Sequence, residues 1–349
     1  MVLRAQAALL GPRRLRAGPG CSCAGSVTAM ASLLSLDDIR AAARTIAGHV
    51  ERTPTVASPG MSALLGVPVT LKLELLQRSG SFKPRGVAVK LLGLTRVERA
   101  AGVVAVSGGN HGIAVAEVAN GMGVRATVVM AKTAPPRSID RIRAAGAELR
   151  LTEDMAGAFA MLEELVADGM TLVHPFDDPT VLAGQGTVGL ELAEDAPPLT
   201  DVLVSIGGGA LISGVAVAIK ALMPDVRIWG VETEGADAMA RGLAAGEPVD
   251  IAPSSIASTL SAPHVSQLTL DHVRTLVEEV FVVPDAAAAA GMVAFAEEAK
   301  LWVEPATGCL VPAAAQVIER GRSEVSLGFV VCGGNVTQRD VRGWFDRLL

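Results

Sequence analysis

Aromatic side chains, cysteines and net positive charge are all scarce in this chain of 349 residues. Aromatic residues make up 3% of the sequence and apolar residues 50%, a composition that favours closely packed α/β layers. The net charge of −6 provides no broad basic surface, so we expect no nucleic-acid partner. The cysteines, Cys21, Cys23, Cys309 and Cys332, are too few and too irregularly spaced for a disulfide framework or a zinc cage. A reducing, cytoplasmic location is therefore expected.

Long hydrophobic stretches without glycine are also missing from the sequence. The longest uncharged run, Val202 to Ile219, nearly reaches the length that crosses a membrane. Gly207, Gly208, Gly209 and Gly214 lie inside it. A run interrupted in this way predicts a strand, a turn and a helix, so we expect no membrane partner.

Acidic residues are absent from residues 1–36, where arginine and small residues are frequent. This composition resembles an organelle-targeting peptide, and Met30 is an alternative start of the natural chain. We interpret residues 1–30 as a disordered or non-native extension outside the fold.

After Met30, short runs rich in β-branched residues alternate with longer alanine-rich runs. This alternation predicts βαβ units and a mostly parallel sheet. The predicted strands are Val69–Leu73, Val103–Val106, Ala126–Met130, Ala147–Leu151, Asp201–Ile206, Val226–Val231, Val280–Val283 and Gly328–Val331. A helix is expected after nearly every one of them.

Three glycine-rich turns each follow one of these strands. Their sequences are Ser107-Gly108-Gly109-Asn110-His111-Gly112, Gly207-Gly208-Gly209-Ala210 and Cys332-Gly333-Gly334-Asn335. Ligands of doubly wound sheets bind beyond the carboxyl ends of the strands. The three turns are therefore expected to converge on one ligand.

The turn Gly207–Gly209 has the composition of an anion-binding loop. Glycines let the backbone approach a phosphate, and the amides at the start of the following helix point toward it. A plain tight turn is the alternative. The next glycine is Gly214, which does not fit the dinucleotide fingerprint G-x-G-x-x-G, so a nucleotide-binding dehydrogenase is disfavoured.

Several reactive side chains lie near these turns. Lys83 comes directly before Pro84, a residue that suits the first turn of a helix, although most lysines are simply exposed. Asn110 is either a ligand contact or a turn residue. His111 is either a general base, a helix cap or a packing residue, and no neighbouring carboxylate is present in the sequence to orient it.

Two further residues are chemically ambiguous. Cys332 ends an apolar strand, where it is either a small buried residue or a partner for a heteroaromatic nitrogen. Glu304 lies in an apolar stretch, so its carboxylate is either solvated at a strand end or held near a charged site.

A lysine, a phosphate loop, an asparagine loop and a thiol, in this order along the chain, resemble the fold type II pyridoxal 5′-phosphate (PLP) enzymes. The resemblance is to the serine/threonine dehydratase family, which also contains serine racemases, and it runs from about Leu36 to the C-terminus. It implies an α/β fold like that of the tryptophan synthase β subunit, with two doubly wound domains and the site between them. The implied large PLP-binding domain spans 31–98 and 180–349, and the small domain spans 99–179.

The resemblance also implies individual roles. Lys83 matches the lysine that forms the Schiff base with PLP, and Phe82 would lie beside the cofactor ring. Asn110 would contact the 3′ oxygen, and Cys332 would face the pyridine nitrogen. The phosphate loop would consist of Gly207, Gly208, Gly209, Ala210 and Leu211, and the loop for the substrate carboxylate of Ser107, Gly108, Gly109, Asn110 and His111.

The implied reaction is the dehydration and deamination of L-serine, L-threonine or a related β-hydroxy amino acid by a homodimer. Serine racemisation is the main alternative, but related racemases carry a serine two residues before the cofactor asparagine, where this chain has Gly108. A non-catalytic PLP-binding protein would share the same loops and is a further alternative. Because Gly108 replaces the serine of the racemases, the sequence favours an ammonia-lyase.

A cation is a further implication of the resemblance. In the family it lies near Glu232, the backbone of Ala236 and an acid two residues further on. This chain has Ala238 at that last position and Asp237 beside it. The change disfavours a divalent ion and leaves open a monovalent ion held mostly by carbonyl groups.

Overall fold

Two separate sheets, one of six strands and one of four, are formed in the computed structural model, which describes residues 33–321 and 324–349. The six-stranded sheet has the order β1-β2-β10-β7-β8-β9, and the four-stranded sheet has the order β5-β4-β3-β6. The strands are β1 (Thr55–Ala57), β2 (Val69–Lys72), β3 (Val103–Val106), β4 (Ala126–Ala131), β5 (Glu148–Thr152), β6 (Thr171–Leu172), β7 (Asp201–Ser205), β8 (Arg227–Thr233), β9 (Glu279–Val283) and β10 (Leu327–Val330).

Helices connect most of these strands, as parallel neighbours require. They are α1 (Leu36–Ile46), α2 (Pro59–Leu65), α3 (Pro84–Leu92), α4 (Arg96–Ala101), α5 (Asn110–Gly121), α6 (Pro136–Ala144), α7 (Met155–Ala167), α8 (Pro179–Asp195), α9 (Ala210–Leu222), α10 (Ala238–Ala245), α11 (Gln267–Leu276), α12 (Asp285–Ala294), α13 (Pro305–Gly308), α14 (Leu310–Glu319) and α15 (Gln338–Leu348). Helical turns of other types cover Glu74–Leu76 and Phe295–Ala299.

All eight predicted strands are present, with ends that differ from the predicted ones by at most two residues. Every pairing within the two sheets is parallel except that of β1 with β2, which confirms the predicted mostly parallel architecture. The sequence did not predict β1 or β6. The predicted domain boundaries stay a prediction, and the interpretation of residues 1–30 concerns a segment outside the described residues.

Apolar strands at the centre of the larger sheet form its core. All five residues of β7 are buried, and the strand lies between β10 and β8. The uncharged run that nearly reaches membrane length is divided between β7 and α9, as its glycines predicted. Among the described residues, no helix combines the length and the hydropathy that a membrane crossing requires.

Close packing of two helices fixes the segment that carries Lys83. Helix α3 begins at Pro84, directly after this lysine, and packs against α8. A Cβ atom on Gly184 of α8 would lie 2.5 Å from the Cα atom of Gly86. Only glycine permits this approach, so the two helices hold the lysine at a defined depth beside the sheet.

A buried ionic cluster forms around Arg85, the second residue of α3. The Arg85 guanidinium donates to both oxygens of Glu74, with distances of 2.8 Å from Nε and Nη2. It also donates to both oxygens of Glu191, with distances of 2.6 Å from Nη1 and 2.8 Å from Nη2. Lys72 Nζ reaches the same Glu191 carboxylate at 2.6 Å. The side chains of Arg85, Glu74 and Lys72 are fully buried, so the cluster is a charge-balanced group inside the fold.

Candidate functional site

Lys83 lies at the entrance of α3, with its amine facing the segment that follows β6. Its Nζ atom donates to the carbonyl oxygen of Pro175 at 3.3 Å and lies 5.0 Å from the centre of the Phe82 ring. Burial of the amine lowers the pKa of Lys83 to about 8. About a tenth of the amine is therefore unprotonated at pH 7 and able to act as a nucleophile.

The lysine segment runs beside the turn that contains Cys332. The Phe82 amide donates to the Cys332 carbonyl at 3.1 Å, and the Gly334 amide donates to the Gly80 carbonyl at 3.0 Å. Between these two hydrogen bonds, Ser81 and Gly333 form an isolated antiparallel β-bridge. The backbone thus brings together two predicted site segments that are about 250 residues apart in the sequence.

The thiol of Cys332 is buried among hydroxyl groups. Its Sγ atom lies 3.3 Å from Thr307 Oγ1, 3.5 Å from Ser205 Oγ and 3.9 Å from Glu304 Oε1. Burial raises the pKa of Cys332 to about 12, and the Glu304 charge adds to the increase. The thiol is consequently neutral at physiological pH.

Asn110 begins helix α5 and connects two turns through its carboxamide. Its Nδ2 atom donates to both oxygens of Glu304, at 3.0 and 3.1 Å, and its Oδ1 atom accepts from Asn335 Nδ2 at 2.8 Å. Thr259 Oγ1 donates to Glu304 at 3.2 Å. Burial raises the pKa of Glu304, although these donors oppose the shift. The sequence had left the role of Glu304 open, and the structure places it between Asn110 and Cys332.

The glycine loop after β7 presents unused backbone donors. Within residues 33–321 and 324–349, the amides of Gly207, Gly208, Gly209, Ala210 and Leu211 donate to no protein acceptor. They precede or begin the 13-residue helix α9, whose dipole favours an anion at this end. Gly209 adopts a φ of 95°, and a Cβ atom on Gly208 would overlap the ring of Phe176. The loop therefore requires glycine and has the geometry of a phosphate cradle.

The loop after β3 offers a second group of free amides. The Ser107 Oγ atom accepts from the Gly109 amide at 3.2 Å. In the part of the chain that the structure describes, the amides of Gly108, Asn110 and His111 have no protein acceptor. A carboxylate is a suitable ligand for such a group of donors at the start of a helix.

His111 is buried and its Nε2 atom lies 2.7 Å from the carbonyl oxygen of Val173. Burial lowers the pKa of His111 to about 3, and the positive charge of Lys83 contributes to the decrease. The ring is neutral, with its proton on Nε2 facing Val173. A group with so low a pKa is a weak general base at neutral pH, which agrees with the absence of a neighbouring acid in the sequence.

Of the two residues predicted to lie near a cation, Glu232 is the penultimate residue of β8 and Ala236 lies in the turn that follows the strand. Both oxygens of Glu232 accept backbone amides of α10, from Met239 at 2.9 Å and Ala240 at 2.8 Å. The Ala236 amide donates to Thr233 at 2.8 Å. Among the described residues, no group of three His, Cys, Asp or Glu side chains is arranged to hold a metal ion. A cation at this turn stays a prediction.

The donors around Lys83 fit PLP chemically. The cofactor has a phosphate, an aldehyde that reacts with an amine, a ring oxygen and a ring nitrogen. The structure supplies free amides at a helix start, a lysine of lowered pKa, a carboxamide and a neutral thiol. These are the functional groups of a fold type II PLP enzyme, and the two mostly parallel sheets with their connecting helices match that class.

Comparisons with known proteins agree with this class. The family model described as pyridoxal-phosphate dependent enzyme matches residues 46–333. L-threonine ammonia-lyase of Thermotoga maritima is 38% identical over 308 residues, which cover 87% of this chain and 76% of that protein. L-threo-3-hydroxyaspartate ammonia-lyase of a Pseudomonas species is 38% identical over 309 residues, covering 87% and 96% respectively. The solved structure of maize serine racemase matches with a TM-score of 0.84 and 33% identity, covering 90% of this chain and 98% of that one.

The chain belongs to the pyridoxal-phosphate dependent enzyme family, in the serine/threonine dehydratase group that includes serine racemases. Its cofactor is PLP. The resemblance that the sequence motifs indicated is thereby confirmed, and the roles assigned to individual site residues stay predictions.

Proposed function

We propose that this protein eliminates water from L-serine, L-threonine or a related β-hydroxy amino acid. Hydrolysis of the released enamine then consumes one water and gives ammonia and a 2-oxo acid. The observation that carries the proposal is the buried Lys83 amine with a pKa of about 8, close to a neutral thiol. Such an amine acts both as a nucleophile toward PLP and, when free, as a base for the substrate α-proton. The similarity to two ammonia-lyases supports the same reaction class.

Each loop has a distinct task in this proposal. The amides of Gly207 to Leu211 bind the phosphate, and the Asn110 carboxamide binds the 3′ oxygen. Phe82 packs beside the ring. Bound PLP supplies an electron sink for the pair released when the α-proton leaves. The substrate carboxylate is held by Ser107 and the backbone from Gly108 to His111, which orients the α-proton toward Lys83.

Cys332 affects which reaction follows proton removal. The thiol, with a pKa of about 12, remains neutral and does not hold the pyridine nitrogen in its protonated form as a carboxylate would. Opposite this neutral thiol, bound PLP would be a weaker electron sink, and a persistent negative charge at the α-carbon would be disfavoured. Prompt departure of the β-hydroxyl group is the outcome that such a site favours.

Gly108 supports elimination over racemisation. A racemase must return a proton to the opposite face of the α-carbon, and the related racemases carry a serine at this position. Gly108 has no side chain to supply that proton, and a Cβ atom here would lie 3.1 Å from the Cβ of Ala134. Serine racemisation is the second candidate, since a serine racemase is among the structures similar to this chain.

We further propose a cytoplasmic homodimer that holds a cation at the Glu232 turn, as the family resemblance implies. Ala238 stands where the family has an acid, so this site suits a monovalent ion better than a divalent one. Light scattering combined with size-exclusion chromatography tests the dimer. Dialysis against a chelator, followed by assay with potassium or magnesium, tests the cation.

The reaction is tested with the purified holoenzyme and a panel of L-serine, L-threonine and L-threo-3-hydroxyaspartate. We expect equal amounts of ammonia and 2-oxo acid from at least one of them. The Lys83→Ala variant is the control and should release neither. A holoenzyme that binds PLP at Lys83 but releases no ammonia from any β-hydroxy amino acid would identify a non-catalytic PLP-binding protein instead.

A further inference from the structure

Arg141 connects the small-sheet side of the molecule to the two predicted cofactor loops. It lies on α6, the helix that follows β4 of the four-stranded sheet. Its Nη2 atom donates to Glu117 at 2.5 Å. Its Nη1 atom donates to Asn335 Oδ1 at 2.6 Å and to the Ser79 carbonyl at 3.1 Å. Ser79 precedes Lys83 by four residues, so one guanidinium contacts both the lysine segment and the Cys332 turn.

The hydrogen bonds continue from Asn335 to the site in one direction. Asn335 Nδ2 donates to the Ser79 carbonyl and to Asn110 Oδ1, both at 2.8 Å. Asn110 Nδ2 then donates to the Glu304 carboxylate. The order is therefore Arg141, Asn335, Asn110 and Glu304, and every member donates to the next.

Arg141 fixes the donor-to-acceptor direction of these hydrogen bonds. A guanidinium donates hydrogen bonds and never accepts them, so the atom of Asn335 that faces Arg141 must be oxygen. Its NH2 group must then face Ser79 and Asn110. A flipped Asn335 would place its NH2 group against the guanidinium and its oxygen against two other oxygens. Side-chain amide orientations are usually ambiguous, but here the charged donor allows one arrangement.

We propose that Arg141 is a positioning residue that orients the Asn110 carboxamide through Asn335 and keeps its NH2 group toward the cofactor pocket. This inference rests on the proposed role of Asn110 in binding the cofactor. The Arg141 side chain contacts neither the free amides of the turns at Gly207 and Ser107 nor the Lys83 amine. Arg141 also contacts the Ser79 carbonyl, so an effect on the cofactor can pass through Asn335 or through the lysine segment, and the Asn110→Ala comparison below separates these two routes.

The test uses the full-length protein and compares Arg141→Met with Arg143→Met. Arg143 lies on the same helix and is exposed, and its side chain makes no hydrogen bond or ion pair with the described residues. The control therefore removes the same charge from the same helix. We expect Arg141→Met to raise the dissociation constant of PLP about tenfold, the effect of one lost hydrogen bond to a charged group. It should also shift the visible absorption maximum of the bound cofactor, whereas Arg143→Met should match the unmodified protein in both measurements.

A second substitution interrupts the series without removing the arginine. Asn335→Asp has the same shape and retains an acceptor for Arg141, but it cannot donate to Asn110. We expect it to shift the absorption maximum in the same direction as Arg141→Met, so the inference remains testable if the arginine variant does not fold.

The strictest test compares the effect of Arg141→Met in the otherwise unmodified protein with its effect in a protein that already carries Asn110→Ala. If Arg141 acts through Asn110, adding Arg141→Met to this background should change the absorption maximum no further. An equal shift with and without Asn110 would overturn the inference, as would unaltered PLP binding and absorption in both Arg141→Met and Asn335→Asp. These readouts concern cofactor binding alone. A protein that binds PLP but releases no ammonia would refute the proposed function and leave this inference to be decided by the spectra.

Discussion

Substitution of Arg85 by methionine should destabilise the protein strongly, because it leaves buried carboxylates without their main partner. Arg85 makes four hydrogen bonds to the carboxylates of Glu74 and Glu191. Without it, Glu191 retains Lys72, but Glu74 retains only the Thr53 hydroxyl among the described residues. Removal of one partner from a buried ion pair costs about 3–5 kcal/mol, and the fully buried Glu74 places this case within that range.

Urea unfolding of the holoenzyme at constant PLP concentration measures this loss, since bound ligand contributes to apparent stability. Arg52→Met is the matched control. Arg52 also contacts two carboxylates, Glu194 and Asp195, but 52% of its side chain is exposed, so its removal should cost about 1 kcal/mol or less. A loss from Arg85→Met no larger than the loss from Arg52→Met would refute the reasoning.

A second substitution separates charge from packing at the same site. Adding Glu74→Gln to Arg85→Met removes the unpaired buried charge. If the charge is the main cost, the double variant should be more stable than Arg85→Met alone, although it has lost a further polar contact. A double variant that is less stable would show that lost packing of the arginine side chain dominates.

Three further predictions concern the site. Burial lowers the pKa of Lys83 to about 8, and the neutral amine is the nucleophile, so attachment of PLP to the apoenzyme should accelerate with rising pH, with a midpoint near 8. Stopped-flow absorbance measures this rate. A midpoint near 10.5, the ordinary pKa of a lysine, would contradict the assigned environment. Gly108→Ser adds a hydroxyl close to Ala134 and should make D-serine detectable from L-serine by chiral chromatography; the Gly108→Ala variant is the control and should form none. Gly208→Ala should weaken PLP binding at least tenfold in an absorbance titration, because the new methyl group overlaps Phe176 and displaces the phosphate loop; unaltered affinity would show that the loop is not a cradle.

The sequence predicted most of the fold because buried parallel strands are nearly continuous apolar runs. The strand β7 is the clearest example, since all five of its residues are buried. The strands β1 and β6 escaped prediction for physical reasons. The first has three residues, two of them exposed, at an antiparallel edge, and the second has only two residues. Neither strand is long enough to show the alternation of buried and exposed side chains by which a strand is recognised in a sequence.

Local motifs identified the turns of the site, but not the residues that connect them. Glu304 and Arg141 each contact a partner 194 residues away in the sequence, so no local pattern relates them to Asn110 or Asn335. The one available signal for Glu304 was a carboxylate in apolar surroundings. For Asn335, it was the position at the end of the third glycine-rich turn.

The most direct test of the proposed function is the partition of L-serine between its two products in a single reaction with the PLP-loaded enzyme. Pyruvate is measured with a coupled dehydrogenase and D-serine by chiral chromatography of the same samples. Because Gly108 provides no proton donor on the second face and the neutral Cys332 disfavours a persistent carbanion, we expect pyruvate to form faster than D-serine. Faster formation of D-serine than of pyruvate would contradict the assignment and identify a racemase.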